Sequence, residues 1–415
     1  MVRKAAMKPD DVHSICVIGL GYVGYPLAKA LADHYDVIGL DNDQLRLDRL
    51  ASEQSTIRLT SDARLIREAD MDIICVPTPV TRTKEPDLNP IRMAALAIGT
   101  NLMKGATVVL ESTVYPGLTE EYLVPLLEEL SGMKCGIDFK VGYSPERVNP
   151  GDDEHGLSKI KKIVAGMDEE TTSRLERVYG HVTSTYRVSS IRIAEAAKVI
   201  ENVQRDLNIA LVNELSIILQ KMGLDSKEVL DAAATKWNFI RYEPGMVGGH
   251  CIPVDPYYLV FKAKELGYHP RVILAGRAIN DYMPQHVVDL AVRGLNESGR
   301  VIRNSSVLIL GLTYKAQVSD IRETPAREVI RSLQEFKPAI YGYDPMLSEE
   351  TIRKLGCEPL PKDRKVDCII ATVAHEEFRD MDLDPLLEPI GVVVDIGRCF
   401  KCETIRKQGH IYYTL

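Results

Sequence analysis

Cys251 and Asp255 lie four residues apart in VGGHCIPVDPYY, residues 247–258, behind His250 and the pair Gly248-Gly249, which let the backbone approach a ligand closely. A cysteine in such a loop could ligate a metal, pair with another thiol, fill a core, or attack a carbonyl carbon as a thiolate. A metal site would need more ligands at matching spacing, and the other histidines stand isolated in sequence. As a nucleophile, the thiolate would add to an aldehyde to give a thiohemiacetal. Loss of hydride would turn that into a thioester, and water would release a carboxylate. Asp255 could organise the water or a proton, and a lysine could stabilise the developing oxyanion. Lys198 is available for that role, with Asn202 one helical turn further on, so that both share one face of any helix through AEAAKVIENVQ. A buried structural cysteine and a solvated polar helix face are the plainer readings of the same residues.

Elements must position these groups, and the chain begins with a strong one. Residues 14–24, SICVIGLGYVG, run a β-branched strand into Gly19-x-Gly21-x-x-Gly24, followed by the helix-compatible PLAKALADH and a second strand, DVIGLD, ending at Asp41. Gly19 allows the tight turn, Gly21 lets a pyrophosphate approach, and Gly24 permits close packing of helix on strand. Asp41 is placed to accept hydrogen bonds from a ribose diol and to repel the extra phosphate of NADP, which points to NAD. Strands continue at MDIICVPTP (71–79), ATVVLEST (106–113) and FKVGYSPERVNPG (139–151), alternating with helical segments. That alternation predicts a doubly wound parallel sheet with ligands beyond the carboxyl ends of its strands. Pro77-Thr78-Pro79, Ser112-Thr113 and Ser144-Pro145-Glu146 fall there.

From residue 194 to Gly223 the chain is rich in good helix formers and free of proline, which predicts one long helix bridging two domains and offering a dimer surface. A second helical segment, DSKEVLDAAATKWNF, precedes the cysteine loop. Beyond about residue 299 the opening pattern returns. SSVLILGLTYK echoes SICVIGLGYVG, AIYGYDP echoes DVIGLD, VDCIIATV echoes MDIICVP, and GVVVDIG echoes ATVVLES. Gly311 survives in the repeated turn, but Thr313 and Tyr314 replace its later part, so this half is not expected to hold a dinucleotide. Lys315, Asp320 and Arg322 near its first strand end could hold an anionic group such as a nucleotide diphosphate sugar, or form a surface charge cluster. The expected fold is thus α/β, with two Rossmann-like doubly wound parallel-sheet domains joined by a long central helix. Its parts are a dinucleotide-binding domain over 1–189, a helical part with the cysteine loop over 190–300, and the second Rossmann-like domain over 301–415.

The totals agree with a globular protein of several domains: 415 residues, 45% hydrophobic and 27% charged. A net charge of −8 with no basic block argues against a nucleic-acid partner. No apolar run reaches the roughly 18 residues that a membrane span needs. The polar N-terminus has no signal-peptide core, which gives a cytoplasmic expectation. Eight scattered cysteines, several inside strand-like runs, fit a reducing compartment better than a disulfide framework. The single CxxC, Cys399 to Cys402, has no second pair with which to bind zinc.

The segments GLGYVGYPLA, VPTPV, ESTVYPGLTEE, GYSPERVNPGD, AEAAKVIENVQRDLNIALVNEL, TKWNF, GGHCIPVDPYYL and GLTYKAQVSDIRETPA carry a resemblance over nearly the whole chain. The sequence resembles the UDP-glucose/GDP-mannose dehydrogenase family of nucleotide-sugar 6-dehydrogenases. The resemblance implies an NAD-binding first domain, a UDP-binding last domain and a long helix that mediates a homodimer. It implies oxidation of a sugar's primary alcohol at carbon 6 to a carboxylate with two NAD, and no metal. Residue by residue, it implies Cys251 as nucleophile, Asp255 working with a water and Lys198, Asn202 beside Lys198 on the reacting sugar, Glu146 assisting thioester hydrolysis, and Thr113 ordering water. Cofactor contacts are expected from Gly19, Gly21, Tyr22, Val23, Gly24, Asp41, Arg46, Pro77, Thr78, Thr113 and Lys315. Substrate contacts are expected from Glu146, Arg147, Lys198, Asn202, Arg205, Gly249, Lys315 and Arg322. Within the family the chain looks most like the branch acting on UDP-N-acetylhexosamines, UDP-N-acetylglucosamine foremost, with a role in polysaccharide biosynthesis. His250 supports that branch, whereas Pro253 and Arg241-Tyr242-Glu243 depart from it. UDP-N-acetylmannosamine and UDP-glucose stand as alternatives, and a β-hydroxyacid dehydrogenase would leave the second Rossmann-like half unexplained.

Overall fold

The computed structural model describes residues 12–53, 55–148 and 156–415. The chain divides into one unit of Met1–Glu201 with Tyr257–His269 and another of Asn202–Pro256 with Pro270–Leu415.

The first unit begins β1 (Ser14–Ile18), α1 (Gly24–Ala32), β2 (Asp36–Leu40), α2 (Gln44–Ala51), β3 (Arg58–Thr60), β4 (Met71–Ile74) and α3 (Asn89–Gly99). It continues β5 (Thr107–Leu110), α4 (Val124–Ser131), β6 (Lys140–Tyr143), β7 (Lys162–Gly166), α5 (Glu169–Gly180) and β8 (Thr185–Arg187). The strands lie in the order β3-β2-β1-β4-β5-β6-β7-β8. Near-continuous Val, Ile and Leu make the central strands, because helices cover both faces and leave no side that must be polar. Ile15, Val17, Ile73 and Val109 of the sheet pack with Leu27 and Leu31 of α1 and Leu175 and Val178 of α5. The doubly wound fold is therefore the one expected, with one difference. β7 runs antiparallel to β6, a pairing that needs no crossover helix, and β8 then pairs with β7 in parallel.

α6 (Ile191–Lys221) follows, 31 residues long and about 46 Å from end to end. The Ser190 hydroxyl accepts the Ile193 N–H at its start. After it come α7 (Ser226–Ala233), α8 (Asp255–Glu265) and α9 (Arg271–Glu297). α7 is shorter than the sequence suggests. It stops at Ala233, and the polar and aromatic residues beyond it, including the exposed Trp237, leave the helix.

The second unit ends in β9 (Ser306–Leu310), α10 (Pro325–Phe336), β10 (Ala339–Tyr343), α11 (Glu349–Lys354), β11 (Glu358–Pro359), β12 (Val366–Ala371), β13 (Leu387–Asp395), α12 (Cys402–Lys407) and β14 (Ile411–Thr414). Its strand order, β11-β10-β9-β12-β13-β14, repeats that of the first six strands of the other sheet. Alternate residues feed two separate cores. Val307, Ile309, Cys368, Ile370, Val392 and Val394 face one side, while Leu308, Leu310, Ile369 and Val393 face the other.

Candidate active site

The glycine loop joins β1 to α1 at the carboxyl end of the first sheet. A Cβ on Gly24 would overlap the carbonyl oxygen of Gly19, so only glycine lets the helix start this close to the strand. A Cβ on Gly21 would meet nothing within 4 Å, which leaves the space above the turn open. Val23 makes no side-chain cap on α1; the Tyr25 amide turns back to Gly21 O at 3.0 Å, so what the helix start presents there is the positive end of its dipole. Tyr22 beside it is exposed. Asp41 closes β2 almost fully buried, its Oδ2 accepting the Leu20 amide at 2.7 Å and Arg46 Nη1 at 2.9 Å, its Oδ1 the Asp43 amide at 2.9 Å. Pro77, Thr78 and Thr113 follow β4 and β5 at the same edge, and Ser112 Oγ ties the two segments by donating to Val76 O at 2.6 Å. An open glycine turn, an uncapped helix start and a buried acid at the second strand fit an NAD molecule.

At the neighbouring strand ends lies a buried charge cluster. Glu146 Oε1 accepts the amides of Arg147 at 2.7 Å and Val148 at 2.6 Å. Its Oε2 lies 3.5 Å from Lys162 Nζ. Lys162 donates to Glu111 Oε2 at 2.8 Å and to Pro145 O at 3.2 Å, and its ammonium sits 5.1 Å from the centre of the Tyr179 ring. Burial works to raise the Glu146 pKa, but the Lys162 charge, the two amides and the charge of Lys198 outweigh it and hold the carboxyl below its usual range. Burial pushes the Glu111 carboxyl up. Lys162 stays charged, since Glu111 and Glu146 overcome the cost of its burial. Arg147 does not reach into this cluster. Its guanidinium grips Glu201 at 2.7 and 3.2 Å and donates to Lys161 O at 2.7 Å.

α6 enters the first unit through Glu195, whose buried carboxylate accepts Gly117 N, Thr119 N and Thr119 Oγ1 at 2.6, 2.9 and 2.6 Å. Burial pushes its pKa up to about 7 against those bonds. The loop after Thr113 is thus pinned to the helix that carries Lys198, itself buried. One turn on, Asn202 Nδ2 donates to Asp255 Oδ2 at 2.5 Å. Asp255 opens α8, and its amide donates back to Cys251 O at 2.8 Å. The second unit therefore brings Asn202, Cys251 and Asp255 together. Arg205, by contrast, stands exposed on α6.

Around the thiol the two glycines are occupied by protein. A Cβ on Gly248 would come 2.6 Å from Pro325 Cδ, and one on Gly249 3.1 Å from the Tyr314 ring. Gly249 also has a φ of 84°. The close approach expected toward a ligand is made instead to the chain's own segment 314–325. His250 Nε2 lies 3.5 Å from Asp320 Oδ2, and Arg322 grips the same carboxylate through Nε and Nη2, the latter at 2.7 Å. Burial raises the Asp320 pKa, and those two partners bring it well below the usual carboxylate range. Arg322 is thus neutralised by its neighbour. Lys315 is half-buried in the turn after β9, where its carbonyl accepts Thr313 Oγ1 at 3.0 Å.

The comparisons with known proteins match three successive stretches of the chain. Residues 13–62 and 56–183 match the NAD binding domain of the UDP-glucose/GDP-mannose dehydrogenase family. Residues 192–282 match its central domain and residues 308–402 its UDP binding domain. The chain belongs to that family. A UDP-N-acetyl-D-glucosamine 6-dehydrogenase of Salmonella typhi is 44% identical over 390 residues, 89% of this chain and 92% of that protein. One of Pseudomonas aeruginosa is 44% identical over 386 residues, 88% and 92%. The solved UDP-D-ManNAc dehydrogenase of Pyrococcus horikoshii superposes with a TM-score of 0.86 at 28% identity, covering 97% of this chain and 98% of the other. This member of the family is an NAD-dependent oxidoreductase. Among its described residues no helix is long and apolar enough to cross a membrane.

Three contributors to this region, Glu111, Lys162 and Glu195, escape the sequence reading. The available signal was chemical: each is a charge inside or at the end of an apolar run, ATVVLE, KIVAG and IRIAEAA.

Proposed function

We propose that this protein oxidises the C6 hydroxymethyl group of a UDP-N-acetylhexosamine, UDP-N-acetylglucosamine foremost, to the carboxylate. The observation that carries the reading is the turn that binds the Asp255 amide to the Cys251 carbonyl, with the Asp255 carboxylate bonded to Asn202 of α6. Relatives at 44% identity with that activity support the sugar.

NAD supplies the hydride acceptor for each of the two oxidations. Lys198 and Asn202, one turn apart in the sequence of α6, hold the reacting hydroxyl, and the Lys198 ammonium stabilises the oxyanion that forms when its proton leaves. Asp255, oriented by Asn202, takes that proton through a water. Cys251 Sγ then adds to the aldehyde carbon, and the thiohemiacetal it forms becomes a thioester when the second hydride departs. Glu146 assists the water that releases the product, with Thr113 helping to order that water. Lys315 and Arg322 contact the nucleotide sugar, and Asp320 must give up part of its hold on Arg322 for that contact.

Two further statements complete the reading. The reaction is cytoplasmic, in keeping with eight cysteines scattered along the sequence, several inside strand-like runs, rather than set out as a disulfide framework. The working form is a homodimer joined along α6, where Ile193, Ile200, Leu211 and Ile218 are exposed at spacings that line up on one helix face. Leu211→Glu with Ile218→Glu is expected to leave a monomer in sedimentation, and an unchanged mass would remove the dimer from the reading.

Wild-type protein given UDP-N-acetylglucosamine and NAD should form two NADH per sugar and a uronate. A panel with the galacto and manno epimers and UDP-glucose ranks the substrates by kcat/KM. Failure of every UDP-sugar to reduce NAD would refute the activity. Cys251→Ala should lower carboxylate formation on the order of 10⁴-fold, and full four-electron turnover in that variant would refute the thioester route.

A further inference from the structure

We propose that Lys162 is a positioning residue for thioester hydrolysis: its buried ammonium, braced by Glu111, fixes Glu146 as an oriented carboxylate ready to take a proton from water. The inference rests on the proposed role of Glu146 and adds the residue that makes the role workable. Glu146 Oε1 is filled by two backbone amides. Oε2 faces Lys162 at 3.5 Å, long for a hydrogen bond, and so keeps lone pairs for a water. Lys162 itself cannot swing away. It is buried, bonded to Glu111 and Pro145 O, and covers the Tyr179 ring.

The other charged groups around Glu146 leave this task to Lys162. Lys198 of α6 adds its charge, Arg147 is engaged with Glu201, and Cys75 after β4 and Tyr179 of α5 are thiol and phenol groups that burial holds neutral. A carboxyl this deeply buried would otherwise bind a proton and could not accept one. With Lys162 in place, the water oxygen adds to the thioester carbon and one water proton passes to Glu146. The C–S bond breaks, the Cys251 thiolate leaves with its electron pair, and the second water proton is lost as the acid ionises.

The test compares wild type with Lys162→Met and with Lys162→Met/Glu111→Met, the double change replacing the buried pair by apolar side chains so that no lone carboxylate is stranded. With UDP-N-acetylglucosamine and NAD, the acid limb of thioester hydrolysis should move up by at least about one pH unit in the double variant. Below that limb a Cys251-bound sugar adduct should accumulate in intact-protein mass spectra, and raising the pH should restore turnover. Glu146→Gln should lose hydrolysis at every pH. A double variant that keeps the wild-type limb, or loses rate equally at every pH, overturns the proposal.

The same assignment has a readout that needs no substrate. Glu146, with its pKa held low, contributes stability that is present above its unfolded pKa and is lost as pH falls through the folded value. The difference in thermal unfolding between wild type and Glu146→Gln should therefore depend on pH in that window, and in the Lys162→Met/Glu111→Met background it should shrink or reverse. If it is unchanged there, the Lys162 proposal fails whatever the substrate. If it shrinks while no UDP-sugar reduces NAD, the proposed activity fails instead.

Discussion

Gly19 and Gly311 end the first strands of the two sheets with φ angles of 91° and 84°. Their amides bond Leu40 O at 2.8 Å and Tyr343 O at 2.9 Å. The next amides, of Leu20 and Leu312, donate to the Oδ2 atoms of Asp41 and Asp344 at 2.7 and 2.6 Å. The Oδ1 atoms accept Asp43 N and Met346 N at 2.9 and 2.8 Å. The copies part at the following residue. In the first it is Gly21, with open space where a side chain would project. In the second it is Thr313, whose hydroxyl lies 3.2 Å from Asp344 Oδ2 and 3.1 Å from His375 Nε2. His375 in turn lies 3.2 Å from the same carboxylate oxygen. In the second copy no helix starts after the glycine turn. The chain runs on as a loop, and α10 begins only at Pro325. Both acids thus hold their own turn; the first sheet keeps an open residue and a helix start beside its acid, while its twin adds Thr313 and His375 to the equivalent acid and sends the following loop to pack on Gly248 and Gly249.

Substitutions that move one copy toward the other test this difference. Gly24→Val should have the largest effect, because its Cβ collides with backbone rather than a flexible side chain. We expect NAD binding to be lost and unfolding to become easier by about 3 kcal/mol or more, the upper end of overpacking costs, read by NADH fluorescence titration and denaturant melts. Gly21→Thr installs the second copy's residue where a Cβ meets nothing. Stability should hold within about 1 kcal/mol, while NAD affinity falls roughly 100-fold as a side chain enters the pyrophosphate's space. Unaltered affinity would show that the open turn is not the binding surface. Asp41→Asn should weaken NAD about tenfold and narrow its margin over NADP, by the loss of one charge-assisted bond and one repulsion. Asp344→Asn, the same change in the twin, should leave both KM values for the dinucleotides unmoved.

How far the sequence carried this depended on whether a feature was local. The glycine loop, Asp41 and the alternation of strands with helices could be read because each arises from a few consecutive residues. Lys162 and Glu111 could not, since they meet only through the β5-β6-β7 arrangement, and β7 turns back where a parallel continuation was expected. Gly248 and Gly249 were legible as sites of close approach but not by what: the neighbour is a segment about seventy residues downstream. The repeat itself was legible in the strings, but its register was not. Letter for letter, VDCII aligns Asp367 with Asp72. The sheets pair Ile15 with Met71 and Val307 with Cys368, which matches Asp367 to Asp70 and Ile369 to Asp72. Hydrogen bonds agree: Asp70 Oδ2 accepts Ser14 N at 3.0 Å and Asp367 Oδ2 accepts Ser306 N at 2.8 Å.

That register makes Asp72 the odd residue of the pair and yields the smallest expected effect. Both its carboxylate oxygens are buried without a hydrogen-bond partner among the described residues, whereas Ile369 in the twin sits in an apolar core. Burial, with the Asp70 charge adding to it, pushes the Asp72 pKa well above its usual value, so the folded chain holds this proton more tightly than the unfolded chain does. The associated stability is fully present below the unfolded pKa and is lost as pH rises toward the folded one. Asp72→Ile, borrowed from the second copy, should flatten that part of the pH dependence and add about 1 kcal/mol near neutral pH, by removing an unsatisfied buried polar group. Denaturant melts across pH 4 to 8 would check it. A variant that keeps the wild-type slope would mean that the Asp72 proton is not what distinguishes the two sheets, and a less stable one would mean that the isoleucine of the twin does not fit the packing around β4.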